Sequence, residues 1–201
     1  MIPNEARALA AATMHEAAGR IGALHPAIRP AFVGARVTAP AYPVACSPGD
    51  NLWIHRAVYA AGSGEVLVVD VGEGAGFGYW GEVLSTTAVA RGLAGLVING
   101  GVRDHDALAA LGFPVFSTGL SIRGTTKDPA APGHLGEPVE VGGVRVHRGD
   151  LVVGDADGVA VIPRADAEKV RRAAAAREAT EAEVMRRLRA GERTLDIYGL
   201  T

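Results

Sequence analysis

Cysteine is nearly absent from this chain: Cys46 stands alone among 201 residues, so no disulfide can form within it, and a reducing, cytoplasmic setting is expected. There is no excess of basic charge. The formal net charge is -2, with acids and bases mixed along the length, which leaves no basic stripe for a phosphate backbone and argues against nucleic acid as a partner. Long apolar runs are missing too. Stretches such as residues 66–69 are far too short to span a bilayer, and the start, MIPNEARALAAATMHEAAGR, is broken by acids where a secretory signal would be apolar. No membrane partner is expected. Aromatic residues are few, with 4 Phe, 4 Tyr and 2 Trp against 27 Gly, a balance that favours tight turns and close backbone packing over an aromatic core.

What is present is enough for one substantial core, since 48% of residues are hydrophobic, and residues 1–201 read as a single domain. Asn4 is placed to cap a helix over 5–24, with Ala8, Ala11, Ala12 and Ala18 as a small-residue face. An extended segment over 32–39 follows, then a turn at 48–50. Asn51 is placed to cap a helix over 52–61. GEVLVVDV at 64–71 is almost continuously apolar and β-branched, as a strand covered on both faces should be. A helix over 80–92, a buried strand over 93–100, a helix over 104–112 closed by Gly112 and a strand over 113–119 complete a β-α-β-α-β alternation. Period-two segments broken by GG, RGD and DADG over 137–163 predict short antiparallel strands. A long helix then runs from after Pro163 to Ala190. The fold class is α/β.

Gly76, Gly78 and Gly81 match the dinucleotide fingerprint in form. The first glycine lies too far past the strand, Tyr79 and Trp80 crowd the turn, and Asn99 stands where a ribose-binding acid belongs, so a nucleotide site is not expected. The helix start at this loop would instead turn the amides of Glu82, Val83 and Leu84 toward a small anion.

Arg103 and Asp104 follow a buried strand, at the edge where open α/β sheets collect ligands. An exposed Arg-Asp pair is by itself commonly a surface or capping pair. Glu82 changes that reading, because it lies one strand-helix unit earlier and should return to the same edge. Oxygen donors without thiolates or paired histidines point to Mg²⁺ or Mn²⁺ rather than Zn²⁺. On the C-terminal helix, Val170, Ala174, Glu181, Met185 and Leu188 form one stripe, with Glu181 an acid on an otherwise apolar face. The six histidines show no metal-ligand spacing.

Through GYWGEVLSTTAVARGLAGLVINGGVRD, GFPVFSTGLSIRGTTKD, GDLVVGDADGVAVIP and further segments along nearly its whole length, the chain resembles the class II 4-hydroxy-4-methyl-2-oxoglutarate / 4-carboxy-4-hydroxy-2-oxoadipate aldolases. These are relatives of the ribonuclease E activity regulator A-like (RraA-like) proteins. The family pattern of an acid, twenty residues and Arg-Asp is met by Glu82, Arg103 and Asp104. The resemblance implies that Asp104 binds a divalent cation directly and that Glu82 holds water on it. Arg103 with the amides of Val83 and Leu84 would hold a pyruvoyl group, and Glu181 would be an acid lent across a subunit interface. It implies a swivelling β/β/α layered domain with a mixed sheet flanked by helices, with residues 164–201 as C-terminal helix and tail at a subunit interface, assembled as a trimer or hexamer. The implied reaction is retro-aldol cleavage of a 4-hydroxy-2-oxo acid to pyruvate, with oxaloacetate decarboxylation as a side activity; no Schiff-base lysine is required of Lys127 or Lys169. Two positions depart from the family: Glu82 where characterised members have Asp, and Asn99 where many relatives have Asp. Rival readings are a lyase retasked to another 2-keto or 2-hydroxy acid, and a non-catalytic RraA-like binding protein.

Overall fold

The computed structural model describes residues 9–200. The first half runs α1 (Ala11–Ala17), β1 (Arg29–Pro30), β2 (Val37–Cys46), α2 (Leu52–Ala60), β3 (Val66–Asp70), β4 (Gly78–Trp80), α3 (Glu82–Ala90), β5 (Gly95–Ile98), β6 (Gly101–Val102), α4 (His105–Leu111), β7 (Val115–Ser117) and β8 (Gly119–Leu120). The second half adds β9 (Gly133–Leu135), β10 (Val139–Val141), β11 (Val144–Val146), β12 (Leu151–Asp155), β13 (Gly158–Ile162), α5 (Ala167–Arg189) and α6 (Thr194–Ile197).

The main sheet has the order β1-β7-β5-β3-β2-β12-β13. Its centre, β7-β5-β3-β2, is parallel, and its flanks are antiparallel. β3 shows why the apolar runs are needed. Leu67 and Val69 point into a core shared with α2, α3 and α4, while Val66 and Val68 point into a second core closed by β10 and β11. Alternate residues of one strand thus fill two layers. A third core joins Met14 of α1, Leu151 and Ile162 of the sheet, and Val170 and Ala174 of α5. These layers form the mixed-sheet, helix-flanked α/β fold with a long C-terminal helix that the sequence led us to expect.

The boundaries depart from expectation in two places. Asn4 lies outside the described residues, and α1 ends at Ala17 rather than near residue 24. Beyond it Gly19, Arg20 and Gly22 take left-handed backbone angles, Leu24 donates its N–H to Val159 O (2.9 Å), and Val161 donates to Gly22 O (2.8 Å). Pairing with β13 overrides the helix propensity of this alanine-rich stretch. The predicted strand over 32–39 begins only at Val37 and runs on to Cys46, through Pro40 and Pro43. β2 pairs with β12 up to Pro40, and on that side β9 takes over from Val44. Both prolines fall at this handover, where the ladder on that side is already interrupted.

A second, three-stranded parallel sheet has the order β4-β6-β8. Each of its strands continues a strand of the main sheet: β3 leads through a loop to β4, β5 through Asn99 and Gly100 to β6, and β7 through Thr118 to β8. The ends of these three arms carry Glu82, the Arg103-Asp104 pair and Ser121.

Candidate active site

Glu82 opens α3 directly after β4, and Asp104 stands at the N-cap position of α4 directly after β6. Because β4 and β6 are parallel neighbours, one strand-helix unit brings the two acids to the same edge, as their spacing implied. Asp104 does not cap its own helix with its side chain. Its backbone is left-handed (φ 58°), and its Oδ2 accepts the N–H of Glu82 at 3.0 Å. The carboxylate at the start of α4 therefore caps the preceding helix, α3. A non-glycine residue held in this region costs of order 1 kcal/mol, a strain typical of functional positions.

Arg103 is fixed by its backbone, whose N–H donates to Trp80 O at 2.8 Å. Its Nε lies 3.8 Å from Asp104 Oδ2, with both side chains nearly half exposed (48% and 41%). The pair is open to a ligand and not spent on a buried ion pair. Within α3 the N–H groups of Val83 and Leu84 precede the first helical hydrogen bond, which Ser85 makes to Gly81 O at 3.1 Å. The amide of Glu82, expected to face an anion with them, is taken by Asp104; those of Val83 and Leu84 remain.

A cleft of about 230 Å³ joins these groups, walled by Val83, Leu84, Arg103, Asp104, His55 and Lys127. His55 and Lys127 were not singled out as site residues by sequence. Lys127 sits on a loop held by Asp50: the buried carboxylate accepts from Asp128 N (2.6 Å), Thr126 Oγ1 (2.8 Å) and Leu52 N (2.8 Å). Asp50, one residue before the predicted cap Asn51, thus makes the helix-start bond. Asn51 turns its Nδ2 to Tyr79 O instead (2.9 Å). Burial, and then the charge of Lys127, push the His55 pKa below its ordinary value despite the opposing pull of Asp50. His55 is neutral at neutral pH. A lysine in a chain with only two was the signal available for Lys127; for His55 there was none, since its role depends on a loop more than 70 residues away.

The fingerprint glycines serve the small sheet. A Cβ on Gly78 would meet the carbonyl oxygen of Ser121, and one on Gly81 would meet Asp104 Oδ2. Close approach between arms, and not phosphate binding, requires glycine at these two positions. Tyr79 is buried, its hydroxyl accepting from Gly49 N (2.7 Å) and donating to Gly74 O (2.8 Å). Trp80 stacks on Phe113 with centroids 5.8 Å apart.

Glu181 lies elsewhere in the protomer. It pairs with Arg177 at 2.8 Å and lines a groove between α1 and α5. Of its stripe, Val170 and Ala174 are buried, while Met185 is exposed. One chain therefore brings together Glu82, Val83, Leu84, Arg103 and Asp104, and leaves Glu181 apart. Among the described residues no three His, Cys, Asp or Glu side chains stand close enough to hold a metal ion by themselves. Among the described residues Asp104 is the one carboxylate lining the cleft, with Glu82 exposed at the adjoining helix start; such a set still fits a hard cation of the Mg²⁺ kind, which takes one or two carboxylates and keeps several waters.

The RraA-like family, described as Aldolase/RraA, matches residues 6–161. The chain belongs to this family. It is 37% identical over 154 residues to a Halalkalibacterium halodurans protein named "Putative 4-hydroxy-4-methyl-2-oxoglutarate aldolase", covering 77% of this chain and 72% of that protein. Among solved structures, an uncharacterized protein from Pseudomonas syringae superposes with a TM-score of 0.87 at 26% identity, over 98% of this chain and 92% of that one. Streptomyces coelicolor RraAS2, described as an unusual member of the RNase ES inhibitor RraA family, gives 0.72 at 28% identity, over 89% and 90%. The family match ends at β13, so α5 and the tail lie outside it. Among the described residues no helix is long and apolar enough to cross a membrane.

Proposed function

We propose that this RraA-like chain is a divalent-metal-dependent carbon-carbon lyase. It cleaves a 4-hydroxy-2-oxo acid, 4-carboxy-4-hydroxy-2-oxoadipate or 4-hydroxy-4-methyl-2-oxoglutarate, to pyruvate and a second keto acid, with oxaloacetate decarboxylation as a side activity. The observation that carries this reading is the convergence of Arg103, Asp104 and the unpaired helix-start amides of Val83 and Leu84 on one cleft. The aldolase name of the 37% identical relative supports it.

Asp104 and Glu82 would hold the Mg²⁺ or Mn²⁺. When bound, the cation supplies Lewis-acid stabilisation of negative charge on the 2-oxo oxygen. The amides of Val83 and Leu84, at the positive end of α3, hold the substrate's C1 carboxylate. Arg103 donates to the 2-oxo oxygen, where charge develops as the C3–C4 bond breaks and its electron pair moves toward C2. The C4 hydroxyl gives up its proton through a held water to the Glu82 carboxylate, and the enolate takes a proton back at C3 to become the methyl of pyruvate. Lys127, across the cleft, offers its charge to a carboxylate on the departing half, while neutral His55 offers a hydrogen bond without repelling a cation.

The active form in this reading is a homotrimer or hexamer, in which Glu181 of the partner subunit completes the oxygen set. Two features support it: Glu181 lies away from its own cleft, and the apolar side chains Leu120 and Ile122 stand exposed in a depression beside Arg103 and Asp104. The rival, a non-catalytic binding protein, draws on the likeness to RraAS2.

Pyruvate release coupled to lactate dehydrogenase, from each of the three substrates with Mg²⁺, Mn²⁺ or EDTA, tests the proposal. Metal-dependent release is expected, lowered about 10²-fold or more in Asp104→Ala and Arg103→Ala, the scale at which loss of one preorganised charge-stabilising group is felt. Absence of release from all three substrates with metal still bound at Asp104 would transfer the assignment to a lyase retasked to another 2-keto or 2-hydroxy acid, and absence of both release and metal binding to the binding protein.

A further inference from the structure

Two of the three arms leave the main sheet side by side, at the ends of β3 and β5, and one side chain joins them there. Asn99 Oδ1 accepts the N–H of Val71 at 2.8 Å, and Asn99 Nδ2 donates to Asp70 Oδ1 at 2.7 Å. Asp70 Oδ1 also accepts the N–H of Gly72 at 2.8 Å. The orientation of the amide is fixed by its partners, because the flipped form would set two donors together at Val71 and two acceptors together at Asp70. Beyond Asn99 the arms are joined by Gly101 N to Ala75 O (3.0 Å), Arg103 N to Trp80 O (2.8 Å) and Glu82 N to Asp104 Oδ2 (3.0 Å). Gly100 packs against this junction, and a Cβ there would meet the Tyr79 ring and Val71.

We infer that Asn99 is a positioning residue that clamps the arm carrying Glu82 to the arm carrying Arg103 and Asp104, acting through Asp70 and Val71 at the base of both. An aspartate in its place keeps the acceptor for Val71 but has no hydrogen to give Asp70. It sets two carboxylates at a distance where both cannot ionise without strong repulsion. Asn99 thus has an electrostatic reason to be an amide in a chain that carries Asp70. The same reason sets the condition under which an acid at position 99 is acceptable: position 70 must then supply the donor. In the double variant Asp70→Asn/Asn99→Asp the bridge between the arms can re-form with its polarity reversed, the amide nitrogen at position 70 donating to the new carboxylate, which still accepts from Val71; the exposed Gly72 N–H, which shares Asp70 Oδ1 with Asn99, turns to water instead.

The turnover part of the test rests on the lyase reading; a second readout, amide hydrogen exchange by mass spectrometry, does not. Asn99→Asp is expected to lower kcat about tenfold or more with KM changed less than threefold, since sub-ångström misplacement of reacting groups is felt mainly in the chemical step. It is also expected to speed exchange in peptides covering 71–82 and 99–104 while the rest of the sheet keeps its protection. The double variant should recover most of the turnover and protection that Asn99→Asp loses, with Gly72 alone left short of its bond. Should Asn99→Asp fail to fold, Asn99→Ala, which removes the bridge without adding a charge, takes its place with the same expectation for both readouts. Wild-type kcat and exchange in the single variant, or a double variant no better than the single, would overturn the clamp. A wild-type protein without lyase activity whose exchange nevertheless follows the pattern would sink the proposed reaction and leave the clamp standing.

Discussion

Asp50 shows how a residue remote from any chemistry shapes the cleft. It is 3% exposed, yet its carboxyl is held below its ordinary value of 3.8. Burial pushes the value up, but the bonds from Asp128, Leu52 and Thr126, with the charge of Lys127, outweigh it. A depressed folded pKa means that the ionised group stabilises the fold above the unfolded value, and that this contribution disappears as the pH falls through the folded value. Wild type should therefore lose stability below about pH 4. Asp50→Asn should lose about 1–3 kcal/mol at neutral pH, the cost of poorly satisfied buried partners, and show a shallower decline into acid. Urea denaturation at pH 7 and pH 3 measures both; equal slopes for the two proteins would remove Asp50 from the account. Its loss should also raise KM, because the loop of Lys127 would no longer be tied to α2.

The arms are where element and site meet. Gly81 has an extended backbone (φ -163°) open to any residue, so its constraint is contact alone: a methyl there would meet Asp104 Oδ2. Gly81→Ala should cost about 10²-fold in turnover through displacement of Asp104, with a shift of only a few degrees in melting temperature, because Asp104 is partly exposed and can move. A melting temperature lowered as steeply as the activity would mean that the contact is structural. At this scale the sequence was readable for α2, α3, α4, α5 and the central strands β3, β5 and β7, because each has a clean apolar pattern and a marked end, whereas β4, β6 and β8 are two or three residues long and fall where the sequence reads as loop, helix start or strand end. It was less readable for α1, where pairing with β13 competes with alanine-rich helix propensity, and for β2, where prolines mask a strand whose partners change. Glu82, Arg103 and Asp104 were legible because one strand-helix repeat carries them. His55, Lys127 and the Asp70–Asn99 bridge were not, because they depend on contacts that no local period encodes.

At the scale of the whole molecule, the face beside the cleft bears on assembly. Ile122 is 95% exposed, Val33 102% and Leu120 62%, and the hollows beside them meet at His105. An apolar stretch of this kind beside a polar site is the usual mark of an interface, in line with the oligomer proposed above. Light scattering should report a trimer or hexamer for wild type, and Ile122→Asp should reduce it to smaller species while turnover falls with the mass. A wild-type monomer with full turnover would remove Glu181 of the partner subunit from the site.

The interval between Glu82 and Arg103 is itself a measured length. The chain descends α3, turns at residues 91–94, and climbs β5 and β6 to regain the level from which it left. At 1.5 Å per helical residue and about 3.3 Å per strand residue, the nine residues of α3 cover about 14 Å and the six of β5 and β6 about 20 Å, so the turn makes up the rest of the descent. The count of residues is therefore a ruler laid along the fold. A single insertion in β5 or β6 would carry Arg103 past Glu82, and within β5 it would also turn alternate side chains to the wrong core. Within this chain the spacing therefore works as a gauge, setting the level at which the Arg103-Asp104 pair meets the start of α3.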